Sequence, residues 1–338
     1  MGSESKINLG ISMGDPNGIG LEIILKIFED RRMFDFFTPV LFAPLSIVKD
    51  QKEHYNLHTS IHSVSNPSKL NRGKLNLIPI EGPNHELHFG EVDPQAGVWA
   101  VASLRAAVEA SKKGVIDALV TAPIHKKSIQ GDDFMFPGHT QFLAAALEAE
   151  SLMVMVADTL RVALVTDHIP VNEVSTAVNA ERIRKTINEF YLSLQNDFGI
   201  PKPKIAVLGM NPHAGDDGVI GQEDDTVIRP VVQAIQEEEK LVYGPYAADS
   251  FFGSGTAAAF DGIIAIYHDQ GLIPFKTLSF GQGVNFTAGL PLVRTSPDHG
   301  TAFDIAGKGR ADLGSFKAAM FSARDIFRQR QESLQNKK

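Results

Sequence analysis

Three histidines occupy equivalent places in the sequence, each just after a short apolar run. His168 follows VALVTD, His213 follows IAVLGMNP and His268 follows GIIAIY. Each run has the composition of a buried β-strand, and the ligands of open α/β sheets bind where the carboxyl ends of the strands converge. The sequence therefore predicts that these histidines, far apart along the chain, meet at one edge of a sheet.

A metal ion is the ligand that such a group of histidines suits best. Neutral imidazoles bind zinc and similar divalent ions, and three protein ligands with an open position are typical of a catalytic zinc site. The chain contains no cysteine, so histidine and carboxylate are the ligand types that remain. Asp167 and Asp269 adjoin two of the histidines and either orient their rings or cap the following helices. Zinc is the expected ion, with cobalt and magnesium as alternatives.

A second set of residues has the chemistry to bind an anion. Lys276 precedes the glycine-rich stretch FGQGVNFTAG, Phe280 to Gly289, and Arg294 follows it. Basic groups and amide donors on a flexible backbone can surround a phosphate or carboxylate through charge-assisted hydrogen bonds. Taken singly, Lys276 or Arg294 would be a solvated surface charge, whereas as a set they predict a pocket for an anionic substrate. The other members of the set are His139, Thr140, Lys126 and Lys127.

Two more glycine-rich stretches lie near the ends of the chain. The stretch GDPNGIG, Gly14 to Gly20, has the spacing G-x-x-x-G-x-G, whereas the Rossmann fingerprint needs G-x-G-x-x-G. It therefore predicts a tight turn into a helix N-terminus, a place where anions bind. The stretch SPDHGTAFDIAGKGRAD, Ser296 to Asp312, contains two turns of small residues. Between them, Asp304 has apolar neighbours in the sequence, as a buried residue would.

The elements that position these residues have the order of an α/β protein. Short β-branched runs alternate with helical patterns and with polar or glycine-containing loops. We predict strands at Ile7–Ser12, Ala118–Thr121, Leu152–Ala157, Val162–Thr166, Ile205–Leu208 and Ile263–Tyr267. We predict helices at Val98–Lys112, Gln141–Glu148, Ala180–Leu194 and Asp224–Glu239, the last with a kink at Pro230.

The composition limits the possible functions. With 338 residues, of which 43% are hydrophobic and 21% charged, the chain has enough material for two α/β lobes around a cleft. A formal net charge of -8 argues against binding to nucleic acid or to an acidic membrane. The polar residues Met1 to Asn8 resemble neither a signal peptide nor a transit peptide, so we expect a cytoplasmic protein.

Two segments are predicted to contribute little chemistry. The stretch from about His54 to Glu91 is polar and lacks carboxylate partners for its histidines, so we expect a solvated, variable surface region. The chain from Gln329 onward is rich in Gln, Lys and Glu and is predicted to fray. The histidines of the first segment are His54, His58, His62, His85 and His88.

Ordered blocks along nearly the whole chain resemble the 4-hydroxythreonine-4-phosphate dehydrogenase family of the pyridoxal phosphate pathway. The blocks are SMGDPNGIGLEI, TAPIHK, FPGHTQFL, TDHIP, NPHAGDDGVIGQED, YHDQGLIPFK and GVNFTAGLPLVRTSPDHGTAFDIAGKG. The stretch HGTAFDIAGKG is also similar to the adenosine-binding loop of isopropylmalate and isocitrate dehydrogenases, the wider group whose fold this family shares.

The resemblance implies a fold and an assembly. The subunit would be a two-lobed α/β protein of the isocitrate/isopropylmalate dehydrogenase type, with a cleft and without a Rossmann fold. Residues 1–125 with 280–338 would form the cofactor-binding lobe, and residues 126–279 would carry the metal ligands and the dimer interface. The active site would be shared within a homodimer, with His168 and His213 binding the metal together with His268 of the partner subunit.

The resemblance also implies the reaction and the roles of further residues. The family oxidises the secondary hydroxyl beside the amino carbon to a β-keto acid, which loses carbon dioxide to give 3-amino-2-oxopropyl phosphate, and a metal ion would assist both steps. The base would be Lys276 or Asp249. The phosphorylated substrate would be bound by His139, Thr140, Lys276, Asn285 and Arg294. NAD, with NADP as an alternative, would be bound by His299, Gly300, Asp304, Ile305, Ala306 and Gly307.

Three other functions remain open at this point. A paralogous dehydrogenase of a four-carbon acid sugar phosphate, 4-phosphothreonate or 4-phosphoerythronate, would keep the histidines, the basic pocket and NAD. A metal-dependent hydrolase or lyase would use the histidines to activate water and would need no nicotinamide. A nucleotide- or metabolite-sensing module would bind its ligand without turnover.

Overall fold

The computed structural model describes residues 6–82, 86–131 and 134–335. The strands are β1 Ile7–Ser12, β2 Phe37–Ala43, β3 Ile61–Ser63, β4 Leu75–Pro79, β5 Ala118–Thr121, β6 Leu152–Ala157, β7 Leu160–Leu164, β8 Ile205–Leu208, β9 Val242–Tyr246, β10 Gly262–Ala265, β11 Val284–Ala288 and β12 Val293–Pro297. The helices are α1 Gly20–Ile27, α2 Met33–Phe36, α3 Leu45–His54, α4 Pro94–Lys112, α5 Lys126–Ile129, α6 His139–Ala146, α7 Val174–Ala177, α8 Ala180–Asn196, α9 Arg229–Gln236, α10 Ala248–Gly253, α11 His268–Ser279 and α12 Gly314–Gln335.

The chain divides into two units, and each is assembled from separate segments. The first unit comprises Met1–Ala149 with Leu290–Phe327, and the second comprises Glu150–Gly289 with Arg328–Lys338. The expected boundary at residue 125 differs from this division because Phe142 and Leu143 of α6 pack into the core of the first unit. Residues 280–289 belong to the second unit because β11 pairs with β6.

The first unit contains a parallel sheet with the strand order β3-β4-β2-β1-β5-β12. Its central strands β1, β2 and β5 are buried along almost their whole length, as expected of parallel strands that are covered on both faces. Ser12 at the end of β1 lies opposite Thr121 at the end of β5, and Val120 lies opposite Thr295 of β12. The three loops that follow these strands therefore leave the sheet at the same edge.

The second unit contains a mixed sheet with the strand order β11-β6-β7-β10-β8-β9. β11, β6 and β7 pair antiparallel, whereas β7, β10, β8 and β9 pair parallel. The strands that precede the three histidines are thus the adjacent parallel strands β7, β10 and β8. The prediction that the histidines follow buried strands of one sheet is confirmed.

Several predicted strands and helices have different bounds in the structure. The strands predicted at Val162–Thr166 and Ile263–Tyr267 end earlier, at Leu164 and Ala265. The single helix predicted at Asp224–Glu239 is a π-helical turn, Asp224–Ile228, followed by α9. Pro230 lies in the first turn of α9, where a proline needs no hydrogen-bond partner for its nitrogen.

Two predictions about surface segments are wrong. The stretch after His54 includes β3 and β4, and Leu75 and Leu77 of β4 are fully buried. The chain from Gln329 is helical up to Gln335, because Arg330 forms an ion pair with the buried carboxylate of Asp197 at 2.8 Å. His85 lies outside the described residues. No helix in the described residues is long and apolar enough to cross a membrane.

Candidate active site

Two of the three strand-end histidines lie side by side in the second unit. The ring centroids of His168 and His268 are 5.6 Å apart. His168 belongs to the loop after β7, and His268 is the first residue of α11, directly after the neighbouring strand β10. Both side chains remain open to solvent, with exposures of 52% and 36%. Two imidazoles at this separation can bind one ion at the usual zinc–nitrogen distance of about 2 Å.

A carboxylate stands behind each of these histidines. Asp269 Oδ1 lies 2.7 Å from His268 Nδ1, and Asp167 Oδ2 lies 3.5 Å from His168 Nδ1. The hydrogen bond with His168 is the main cause that lowers the pKa of Asp167 to about 2. With Nδ1 facing a carboxylate, each ring keeps Nε2 for a ligand, as in carboxylate–histidine–metal arrangements. Of the two roles considered for these aspartates, the contacts favour orientation of the rings.

Gln270 connects the strand end that carries His268 with the strand end before His213. Its side-chain amide donates to the Gly209 carbonyl at 2.6 Å, and its Oε1 accepts from the Ile266 N–H at 2.7 Å. Gly209 directly follows β8, and Ile266 directly follows β10. One side chain therefore fixes the relative position of two adjacent strand ends.

The turn that holds His213 has an unusual backbone. Every residue from His213 to Gly218 has a positive φ, between 47° and 86°. Left-handed conformations of this kind cost non-glycine residues about 1 kcal/mol each, so other contacts must stabilise the turn. The buried Asp224 carboxylate anchors the residues just before the turn, because it accepts from the N–H groups of Met210 and Asn211 at 2.7 and 3.0 Å and from the Asn211 side chain.

Within one chain the structure brings together a pair of the histidines and not all three. The described residues contain no group of three or more His, Asp or Glu side chains placed to hold a metal ion. The resemblance implies that His268 joins the metal site of the partner subunit, whereas the structure places His268 beside His168 of its own chain. Two imidazoles backed by carboxylates are nonetheless a donor set that suits zinc or a similar ion.

The first unit contains part of the predicted anion pocket. Arg294 of β12 is 2% exposed and donates to Thr121 Oγ1 from Nη2 at 2.6 Å. Burial lowers the pKa of Arg294 to about 9, so the guanidinium is still cationic at neutral pH. His139, the first residue of α6, is held neutral, because burial first and the charge of Arg294 second lower its pKa well below the usual value. Its Nε2 is enclosed and has no hydrogen-bond partner in the described residues, which is the condition of a group that awaits a ligand.

The remaining predicted substrate residues lie on several elements. Thr140 follows His139 on α6, Lys276 is an exposed residue of α11, and Asn285 lies on β11. Asn285 Oδ1 is buried and has no hydrogen-bond partner among the described residues. Lys126 and Lys127 are exposed residues of α5.

The two candidate bases differ in what lies near them. Asp249 is exposed in the first turn of α10, and α10 packs against the turn Pro212–Gly215 that carries His213. Lys276 lies two turns beyond His268 on the same helix. Each candidate is therefore associated with one of the histidine-bearing segments.

The loop predicted to bind the cofactor follows β12 in the first unit. The Ile19 N–H donates to the Thr301 carbonyl at 3.1 Å, which joins the loop to the start of α1. The rings of His125 and Phe303 stack with centroids 5.3 Å apart. His299 Nε2 is enclosed and has no hydrogen-bond partner in the described part of the chain. A glycine-rich loop with an unsatisfied imidazole nitrogen suits a polar ligand such as a dinucleotide. The predicted cofactor residues Gly300, Asp304, Ile305, Ala306 and Gly307 all lie on this loop.

Sequence reasoning missed Asp15 of the loop after β1 as a buried titratable group. Asp15 is 1% exposed, and burial is the main cause that raises its pKa to about 6. It also missed Gln270 and Asp224, because neither a glutamine after a strand nor an aspartate in an acidic run predicts burial. The only available signal was their position within the blocks that resemble the family.

The geometry defines the class of protein. It is an α/β protein with paired histidines at strand ends and, separately, a buried arginine and histidine. The family model for the pyridoxal phosphate biosynthetic protein PdxA matches residues 35–323. A 4-hydroxythreonine-4-phosphate dehydrogenase of Bacteroides thetaiotaomicron is 45% identical over 97% of this chain and 91% of its own. A putative D-threonate 4-phosphate dehydrogenase of Oceanobacillus iheyensis is 37% identical over 94% of this chain and 97% of its own.

Comparison with solved structures finds relatives of the same name. The crystal structure of 4-hydroxythreonine-4-phosphate dehydrogenase from Klebsiella pneumoniae matches with a TM-score of 0.84 and 33% identity, over 97% of this chain and 99% of that one. The chain therefore belongs to the PdxA family, and the curated relatives described above are dehydrogenases.

Proposed function

We propose that this protein catalyses the NAD-dependent oxidative decarboxylation of 4-phosphooxy-L-threonine to 3-amino-2-oxopropyl phosphate and carbon dioxide, in pyridoxal 5'-phosphate biosynthesis. The observation that carries the proposal is the pair His168 and His268, which lie 5.6 Å apart with a carboxylate behind each ring. Membership of the PdxA family and 45% identity to a 4-hydroxythreonine-4-phosphate dehydrogenase support the choice of substrate.

The proposed reaction needs a hydride acceptor and a Lewis acid. When bound, NAD would supply the hydride acceptor, and a divalent ion would supply the Lewis acid for the substrate oxygen. His168, His213 and His268 would hold the ion, and the carboxylates of Asp167 and Asp269 keep Nδ1 of two rings occupied, which leaves Nε2 of each of these rings as the nitrogen that would bind the ion.

The residues of the chain also bind the substrate and move its protons. Arg294, His139 and Thr140 bind the phosphate group in the proposal, with Lys276 and Asn285 as further ligands. Asp249 or Lys276 takes the hydroxyl proton as the hydride leaves. The carboxylate of the β-keto acid then leaves as carbon dioxide, and the electron pair of the broken bond forms an enolate that takes up a proton.

We propose in addition that the protein acts as a homodimer. On and just after α11, which begins with His268, Ile273 is 64% exposed, Leu278 is 51% exposed and Phe280 is 87% exposed. Exposed apolar side chains so close together are typical of a surface that another protein covers. A homodimer in which a second copy completes the site would account for them, and its mass in solution is measurable by light scattering.

The substrate is tested by measuring NADH formation with two compounds in parallel. 4-Phosphooxy-L-threonine is expected to give the higher kcat/KM, because a site that binds an amino group loses that contact with 4-phospho-D-threonate. Preference for the compound without an amino group would instead assign the chain the activity named for the Oceanobacillus relative. Turnover of substrate without NAD or NADP would favour a hydrolase or lyase.

The metal site is tested by His213→Ala, with His62→Ala as the control on β3 of the other unit. The first variant is expected to lose metal-dependent NADH formation and to bind less zinc by elemental analysis, whereas the control keeps both. Full turnover with stoichiometric metal in His213→Ala would contradict the metal assignment.

A further inference from the structure

Gly307, within the loop after β12, has both of its backbone polar groups bonded to neighbouring residues of α3. Its N–H donates to the Tyr55 hydroxyl at 3.0 Å, and its carbonyl lies 2.8 Å from His54 Nε2. His54 is the last residue of α3, and Tyr55 is its C-terminal cap. The end of one helix therefore fixes the orientation of a single peptide segment in the loop.

The next residues of the loop are bonded to α1. Lys26 Nζ donates to the Gly309 carbonyl at 2.8 Å and to Glu22 Oε1 at 2.7 Å. The fully buried Glu22 carboxylate also accepts from the Ala311 N–H at 3.2 Å. The loop from Gly307 to Ala311 is thus held along its length by side chains of α1 and α3.

The hydroxyl group of Tyr55 is suited to accept the hydrogen bond from the Gly307 N–H permanently. Burial is the main cause that raises the pKa of its hydroxyl, and the charge of Glu22 adds to it. The phenol therefore stays neutral over the working range of the protein. It keeps its own proton and offers a lone pair to the Gly307 N–H.

Packing leaves the loop little room for another position. The ring of Phe89 lies 4.5 Å from that of His54 and 5.7 Å from that of Tyr55, measured between centroids. A Cβ atom on Gly307, whose φ is +77°, would meet Phe89 at 2.9 Å. Only glycine therefore suits position 307, which the aromatic side chains of His54, Tyr55 and Phe89 cover.

We propose that His54 and Tyr55 are positioning residues that hold the loop at Gly307 in the conformation that binds the adenosine part of a nicotinamide dinucleotide. This inference rests on the proposed function, in which the loop binds NAD. A loop that is ordered before the ligand arrives saves the ligand the entropy cost of ordering it. The two residues therefore act on the affinity for the dinucleotide and leave the chemical step unchanged.

The experiment compares wild type with Tyr55→Phe, His54→Ala and the control His58→Ala. Tyr55→Phe keeps the ring and removes only the acceptor of the Gly307 N–H. His58 belongs to the same segment, and its ring is exposed while its main-chain N–H donates to Glu29. Binding of NAD alone is measured by calorimetry, and amide exchange at residues 305–309 is measured without ligand.

Loss of one hydrogen bond is expected to weaken NAD binding about fivefold in Tyr55→Phe and by a similar factor in His54→Ala. KM for NAD rises by about the same factor, kcat stays within about twofold, and the Gly307 amide exchanges about fivefold faster in Tyr55→Phe. His58→Ala behaves as wild type in each measurement.

Other outcomes distinguish failure of the positioning role from failure of the proposed function. If wild type binds NAD and both variants bind it equally well, the positioning role is overturned while the proposed function stands. If wild type binds neither NAD nor NADP, the proposed function fails and the cofactor role of the loop fails with it. A variant that loses kcat and leaves NAD affinity unchanged also overturns the positioning role.

Discussion

The side-chain amide of Gln270 donates a hydrogen bond at 2.6 Å to the carbonyl oxygen of Gly209, a residue 61 positions earlier in the chain. Since Gln270 also accepts from Ile266, one amide group holds the ends of β8 and β10 at a fixed separation. His268 begins α11 just beyond the end of β10, and the turn that carries His213 lies beyond the end of β8. The relative positions of two proposed metal ligands therefore depend on a residue that is not itself a ligand.

Gln270→Leu is expected to bind zinc about tenfold more weakly than wild type, since supporting residues around metal ligands typically contribute that much to affinity. Calorimetric titration of the metal-free protein with zinc measures the effect. Gln195→Leu is the matched control, because that amide also donates to a main-chain carbonyl, at 2.8 Å, but from α8. Equal zinc affinity of both variants would show that the strand ends hold their positions without Gln270.

Asp224→Asn is expected to destabilise the second unit by about 2 kcal/mol, the usual contribution of hydrogen bonds to a charged group. The new amide would place N–H groups against the N–H groups of Met210 or Asn211, which now donate to the carboxylate. Urea unfolding followed by circular dichroism gives the free energy. The neighbouring substitution Asp225→Asn removes an i,i+4 ion pair with Arg229 and should cost well under 1 kcal/mol. A similar loss in both variants would contradict the role of Asp224.

Asp15→Asn is expected to reduce the dependence of stability on pH between about 4 and 6. Burial raises the pKa of Asp15 from 3.8 to about 6, so the folded state binds the proton more tightly than the unfolded chain. Its contribution is fully present below pH 3.8 and is lost as the pH rises through about 6, a change of about 2 to 3 kcal/mol.

The measurement for Asp15 is urea unfolding of wild type and variant at pH 4 and pH 8. At pH 8 the variant should be at least as stable as wild type, because a buried charge has been removed. Asp50→Asn, at an exposed position of α3, should follow the wild-type curve. An undiminished loss of stability in Asp15→Asn would refute the assignment.

Arg294→Met is expected to remove the stabilisation that inorganic phosphate gives to the protein. A phosphate ion at tenfold its Kd stabilises by about 1.4 kcal/mol, which raises Tm by about 2 °C in a protein of this size. The shift with phosphate is compared with the shift in its absence for each protein, so a change in basal Tm does not matter. Arg31→Met, at an exposed position, should retain the full shift. A phosphate shift that survives in Arg294→Met would place the anion elsewhere.

Local patterns predicted the elements that position the site better than they predicted the contacts within it. β1, β5, β6 and β8 have the predicted bounds, because short apolar runs bounded by polar turns are typical of buried strands. β2 and β4 were missed, although Leu41 and Leu77 lie on them as buried neighbours. The polar residues on both sides of β4 made its short apolar run difficult to recognise as a strand.

The contacts that matter most in the site connect residues far apart in the sequence. Position at a strand end was enough to predict that His168 and His268 lie close together. Nothing in the pattern near His54 indicated a bond to Gly307, which lies 253 positions away. A hydrogen bond between distant loops depends on the packing of whole elements, which no local periodicity records.

The left-handed turn from His213 to Gly218 restricts how this part of the chain can vary. Valine, isoleucine and threonine fit poorly at Ala214, Asp216 and Asp217, since β-branched residues rarely adopt a positive φ. Glycine, asparagine and aspartate tolerate the conformation best. We therefore expect sequence drift at these positions to stay within a few small or polar amino acids, even at Asp216 and Asp217, whose side chains are exposed.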